Sequence, residues 1–242
     1  MNGYKRSFSR KEAVRKSAEI LRDFGAAFFP LDIQHLLSSF GKQINVAPYS
    51  KMKPVDGAVP VDPKMMSKDG FCTRIPDSLF WYLDEFIESS TWCIYYNEKA
   101  MNSRLRFTIM HELGHISLMH HQIFHINTLN GLDDDPEYKA ADDQADVFSV
   151  NILAPAPAVY RLLKEHGFTY VRGRVSSWQL TDREAPFLRN LGTVPNPEVL
   201  VMTAFGLSQS AANRRLAELP NDLKLWETLD PELYAYVENI PH

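Results

Sequence analysis

The feature that most constrains this chain is the run Phe107-Thr-Ile-Met-His-Glu-Leu-Gly-His115, which holds His111, Glu112 and His115 in the pattern H-E-x-x-H. Helical residues advance by about 100° each, so histidines four apart sit about 40° from one another, one turn above the other. Two imidazoles on one face can share a zinc ion, and the glutamate beside them can hold the water that such an ion activates. Ile109, Leu113 and Ile116 form one apolar stripe, while Phe107, Met110 and Leu118 lie on other sides. A helix apolar nearly all round is a buried one. The pattern therefore predicts a buried helix from about Asn102 or Ser103 to about His120, with its histidines facing into protein.

A catalytic zinc takes three protein ligands and keeps a fourth position for water. His121 stands ten residues after His111, as in the longer pattern H-E-x-x-H-x-x-G-x-x-H, but that pattern turns on a glycine at its eighth place and here the eighth place is Leu118. On a continuing helix His121 would lie about 15 Å along the axis and about 80° round, out of reach of the same ion. His120 fails on similar grounds, and both read as helix-end residues near the C-terminal carbonyls. His35, His125 and His166 have no fixed spacing to the motif. The better donor lies in Asp142-Asp-Gln-Ala-Asp146, where Asp142 and Asp146 fall one turn apart on one face. Asp142 is expected to bind the metal, and Asp146 to accept the second ring N–H of a ligating histidine. An acidic helix start favoured by the macrodipole accounts for Asp142 and Asp143. It accounts less well for Asp146, which sits among Ala145, Val147, Phe148 and Val150.

Around these two helices the chain reads as α+β. Ser9-Arg-Lys-Glu12 is a capping box opening a helix that stops at Gly25, and a second helix is expected from about Asp32 to Phe40. Strands are expected at Ile44 to Ala47, Gly70 to Ile75, Leu79 to Leu83 and Trp92 to Tyr96, with a long loop over residues 49 to 69. Residues 122 to 139 read as an irregular segment ending in the acidic run Asp133-Asp-Asp-Pro-Glu137. The Asp142 helix is expected over Lys139 to Leu153, and another over Ala158 to His166. Helices, then strands, then helices argue against alternating βαβ units. Residues 168 to 196 show no periodic pattern. Glu198 to Phe205, Gly206-Leu-Ser208 and Gln209 to Leu219 form a helix-turn-helix-like segment. Residues 195 to 242 carry three bases against seven acids, the wrong sign for reading DNA. Cys72 and Cys93 lie in apolar segments and read as small buried hydrophobes without a functional role.

These residues resemble the ImmA/IrrE family of metallopeptidases. Arg106-Phe-Thr-Ile-Met-His-Glu-Leu-Gly-His115 is similar to the family phrase R-F-T-x-A-H-E-L-G-H. Ala145-Asp-Val-Phe148 and Ile152-Leu-Ala-Pro155 resemble its following helix, and Phe205 to Leu216 resembles its C-terminal segment. The resemblance implies a zincin-like core with a small antiparallel or mixed sheet packed on helices. It places the zinc ligands on His111 and His115, the catalytic glutamate on Glu112, and the third ligand on Asp142, where the family has Glu. Asp is one methylene shorter, so its helix must approach more closely, and Asp143 or Glu137 are the alternative donors. Residues 1–167 then form the peptidase-like domain and residues 168–242 a helical C-terminal region with the helix-turn-helix-like segment at 197–219. The resemblance further implies cleavage of a helix-turn-helix repressor in a mobile element, prophage or stress operon. The alternative is a regulatory protein that binds a repressor or antitoxin without cutting it. A formal charge of −4 gives no general pull toward nucleic acid or anionic membranes. The N-terminus lacks the apolar centre of a secretory signal, so the expected location is the cytoplasm.

Overall fold

Trp92–Tyr96 reads in the sequence as an unbroken apolar run, and its place in the sheet explains why. The computed structural model describes residues 8–51, 69–74, 92–124, 136–172, 177–180 and 196–242. Trp92–Tyr96 (β3) is the middle of three strands. Ile44–Pro48 (β1) runs parallel to it with Ile44 opposite Trp92, and Gly70–Arg74 (β2) runs antiparallel with Gly70 opposite Tyr96. Residues 92–95 are buried in succession, so the strand is covered on both faces and has no polar alternation to show.

The helices are α1 (Arg10–Phe24), α2 (Ile33–Ser39), α3 (Asn102–Ser117), α4 (His120–Phe124), α5 (Pro136–Leu153) and α6 (Ala156–Glu165). The antiparallel pair β4 (Phe168–Val171) and β5 (Ser177–Leu180) follows, and then α7 (Pro197–Phe205), α8 (Gln209–Trp226) and α9 (Pro231–Glu238). The fold is α+β with a small mixed sheet, in line with the sequence reading. The strand expected at Leu79 to Leu83, most of the loop expected over 49 to 69, the acidic run at Asp133 to Asp135, and His125 lie outside the described residues. Among the described residues no helix is long and apolar enough to cross a membrane.

The chain divides into two compact units, one of residues 1–16 and 32–149, the other of residues 17–31 and 150–242. In the first, β2 lies close against α3. A Cβ placed on Gly70 would overlap Thr108 Cγ2 and come within 2.9 Å of the Tyr95 carbonyl oxygen. Only glycine permits that approach. Two residues along the same face of β2 is Cys72, and one turn along α3 from Thr108 is Glu112. The motif helix itself ends at Ser117, three residues before its expected end. Met119 adopts the left-handed conformation (φ 56°) and its N–H donates to the Ile116 carbonyl at 3.1 Å. The chain turns there and restarts as α4 at His120. A left-handed residue is ordinarily glycine, so a methionine at that position gave no sign of the break.

In the second unit, Asn196 caps α7, Gly206 ends it in the left-handed conformation, and Ser208 caps α8. This is the helix-turn-helix-like arrangement expected. Helix α8, however, runs through Pro220 to Trp226 instead of stopping at Leu219. The reason is a buried polar cluster spaced along one face. Arg215 and Asp222, two turns apart and both fully buried, form an ion pair. Asn151 Oδ1 accepts from Arg215 Nη2 at 3.3 Å and from Trp226 Nε1 at 2.9 Å. Packing of this cluster outweighs the proline's loss of one backbone hydrogen bond. Asp222→Ala strands a buried guanidinium and is expected to cost about 3–5 kcal/mol in urea denaturation. A loss no larger than that of an exposed pair, under about 1 kcal/mol, would contradict this role for the cluster.

Candidate metal centre

The centre forms where α3 and α5 meet at their smallest residues. A Cβ on Gly114 would lie 3.0 Å from Phe148 Cδ1 and 3.3 Å from both the Cα and the carbonyl oxygen of Ala145. Gly114 precedes His115, and Ala145 precedes Asp146. The close contact therefore presses the histidine face of α3 against the aspartate face of α5. It also supplies the nearer approach that an aspartate at position 142 requires in place of a longer glutamate.

Three ligating atoms converge there. His111 Nε2 is 3.0 Å from His115 Nε2 and 3.1 Å from Asp142 Oδ1, and His115 Nε2 is 3.5 Å from Asp142 Oδ1. Among the described residues these are the group of side chains that could hold a metal ion. Corners of a tetrahedron with arms of about 2.0–2.2 Å stand about 3.3–3.6 Å apart. The observed triangle matches that spacing to within a few tenths of an ångström, so the residues fit a four-coordinate ion with one position left open. Asp143 and Glu137, the alternative donors, occupy exposed positions on α5 and are not in the group.

Behind the ring of ligating atoms, each histidine has an outer partner. His111 Nδ1–H donates to Asp146 Oδ1 at 2.9 Å, the contact that the one-turn spacing of the aspartates led us to expect. His115 Nδ1 faces His120 Nδ1 at 2.8 Å, and His120 Nε2 faces Gln144 Oε1 at 3.0 Å. Sequence reasoning treated His120 as a helix-end residue. The turn at Met119 instead folds it back beside His115, fully buried. His121 lies with its ring edge on Trp92, at 4.5 Å between centroids. His35 and His166 sit at exposed positions and are not in the group.

The environment sorts the groups by charge. Burial pushes the His111 imidazole down, but hydrogen bonds to Asp142 and Asp146 outweigh it and raise its pKa to about 10. Burial lowers His115 to about 3 and His120 to about 4, so both are neutral near pH 7. Burial acts to raise the Asp142 carboxyl, yet the His111 hydrogen bond holds it well below the usual carboxylate range. Burial pushes the Glu112 carboxyl up, opposed by the His111 cation and by hydrogen bonds from the Cys72 thiol and backbone. Cys72, to which the sequence assigned no role, is thus the partner of Glu112 across the β2–α3 contact. Both cysteines are free and buried.

The chain matches the family model of the IrrE N-terminal-like domain, a peptidase family, over residues 66–217, well over half of its length. No curated protein sequence matches it.

In the metal-free centre the His111 Nε2 proton occupies the space an ion would take, so binding releases that proton. The sign follows from the raised pKa: the proton competes with the ion at every pH below about 10 and ceases to compete above it. Metal affinity, measured by chelator competition, is expected to rise about tenfold per pH unit through the neutral range with one proton released. An affinity independent of pH between about 6 and 9 would contradict a protonated His111.

Proposed function

The chain belongs to the metallopeptidase family of the IrrE N-terminal-like domain, and on that premise we propose that it is a zinc-dependent endopeptidase acting on a helix-turn-helix repressor. The observation that carries the catalytic part is the triangle of His111 Nε2, His115 Nε2 and Asp142 Oδ1, with the buried Glu112 carboxyl next to it in the chain. Nitrogen and oxygen donors at these spacings suit zinc. When bound, zinc supplies Lewis acidity toward a peptide carbonyl and makes water a nucleophile at neutral pH.

The chain's own residues supply the rest. Glu112 takes the proton of the attacking water on a carboxylate oxygen and returns it to the leaving amine nitrogen. Its burial raises the carboxyl toward the working pH, which suits a group that must both accept and release a proton. The Cys72 thiol and N–H donate to that carboxylate and hold it against β2. Asp146 fixes the His111 ring, and the Tyr138 ring stacks on His115 with 6.1 Å between centroids.

Support for a repressor substrate comes from the likeness of residues 106–115, 145–155 and 205–216 to repressor-directed family members. The regulated unit would be a mobile element, prophage or stress operon. We further propose that the helix-turn-helix-like segment does not read DNA. Of the three bases in residues 195–242, Arg215 is buried against Asp222 and Arg214 pairs with Glu218 at 3.0 Å. Little positive charge is left to meet phosphates.

Glu112→Gln removes the proton acceptor while preserving shape. It is expected to bind zinc as the parent does and to lose at least about 100-fold in cleavage of a helix-turn-helix repressor substrate. Cleavage by Glu112→Gln at the parent rate would refute the assigned mechanism. Capture of an intact repressor by the zinc-loaded parent would favour a binding protein instead.

A further inference from the structure

The contacts behind His115 run in one direction, and a backbone carbonyl sets it. Gln144 Nε2 lies 2.8 Å from the carbonyl oxygen of Ser9. A carbonyl oxygen only accepts, so the Gln144 amide nitrogen faces Ser9 and its Oε1 faces His120. Oε1 also only accepts, so His120 Nε2 carries a proton. A neutral imidazole has one N–H, which leaves a lone pair on His120 Nδ1. The 2.8 Å contact between His120 Nδ1 and His115 Nδ1 then requires the proton to be on His115. His115 Nε2 is left with its lone pair toward His111 Nε2, and its 3.5 Å separation from Asp142 Oδ1 is longer than an ordinary N–H···O hydrogen bond.

From this we infer that His120 is a positioning residue of the metal centre. Together with Gln144 and the Ser9 carbonyl, it presets the His115 tautomer and ring orientation for ligation before any ion arrives. The inference rests on the reading of His111, His115 and Asp142 as a metal site. It adds a segment that the family match does not reach, since that match begins at residue 66. Phe8 sets its ring edge-on to His120, with 5.7 Å between centroids, and Ser9 supplies the final acceptor. The start of α1 is therefore part of the centre's outer shell. His120 itself is 0 % exposed, and water cannot substitute as its partner without entering the packed interior.

The test uses the full chain and two readouts: zinc affinity by competition with a chromogenic chelator, and side-chain nitrogen–proton NMR correlations of the metal-free protein. His120→Phe keeps a ring but offers no acceptor, and is expected to weaken zinc binding about 10–100-fold. His120→Asn puts a carbonyl oxygen near the former Nδ1 and should restore most of that loss. Gln144→Leu removes the acceptor of the His120 Nε2–H and should also bind zinc more weakly than the parent. In the metal-free parent, His115 should carry its proton on Nδ1 and His120 on Nε2. A proton on His115 Nε2 overturns the inference, as does parent-like zinc affinity in His120→Phe. Equal loss in His120→Asn and His120→Phe would reduce His120 to packing and also overturn it. The tautomers are read without metal, so a parent that fails to bind zinc counts against the peptidase reading while the NMR result still decides this one.

Discussion

Three atoms, two imidazole nitrogens and one carboxylate oxygen, stand 3.0–3.5 Å from one another, and the packing of the first unit keeps them there. They come from two helices that share no sequence proximity. The helices can bring them together only because nothing larger than a glycine and an alanine separates the backbones at Gly114 and Ala145. A methyl group on Gly114 would press on Phe148 and on the α5 backbone, and overpacked cores shift by ångström fractions that a coordination site does not tolerate. On the other side, Gly70 plays the same part between β2 and α3, and so sets Cys72 against Glu112. The Glu112 carboxyl and the His111, His115 and Asp142 side chains are thus fixed from opposite faces of one buried helix.

The two histidines are not equivalent. His111 is backed by a carboxylate and holds a proton up to about pH 10, while burial holds His115, whose partner is the imidazole of His120, near 3. One proton therefore sits in a space shaped for a divalent ion, between His111 and Asp142. The metal-free protein is stabilised by that cation–carboxylate contact below the ordinary imidazole pKa. It loses the contact as pH rises through about 10, and again in acid as Asp142 is protonated. The centre is preorganised, and exchanging the proton for a metal requires little rearrangement of side chains.

Much of this was legible in the residues, for identifiable reasons. Spacings of four on a helix project directly into space, which is why His111 with His115, and Asp142 with Asp146, could be paired without coordinates. The central strand announced itself by an unbroken apolar run. Features that depend on conformations a residue type does not advertise stayed hidden. Met119 takes the left-handed turn that glycine would have signalled, and so concealed the return of His120 onto His115. Pro220 suggested a helix end that the buried Arg215–Asp222 pair overrides. Cys72 looked like a small hydrophobe because its partner lies 40 positions away, across a strand–helix contact. Residues 168–171 and 177–180 pair as β4 and β5 although their stretch showed no periodicity, since four-residue strands are too short to display one.

The most direct measurement of the proposed centre is X-ray absorption on the zinc-loaded protein. Two imidazole nitrogens and oxygen donors at about 2.0–2.2 Å, with no sulfur, are the result expected of His111, His115, Asp142 and water. A third imidazole, which would bring His120 or His121 onto the ion, or a sulfur near 2.3 Å from Cys72, would contradict the account at its root.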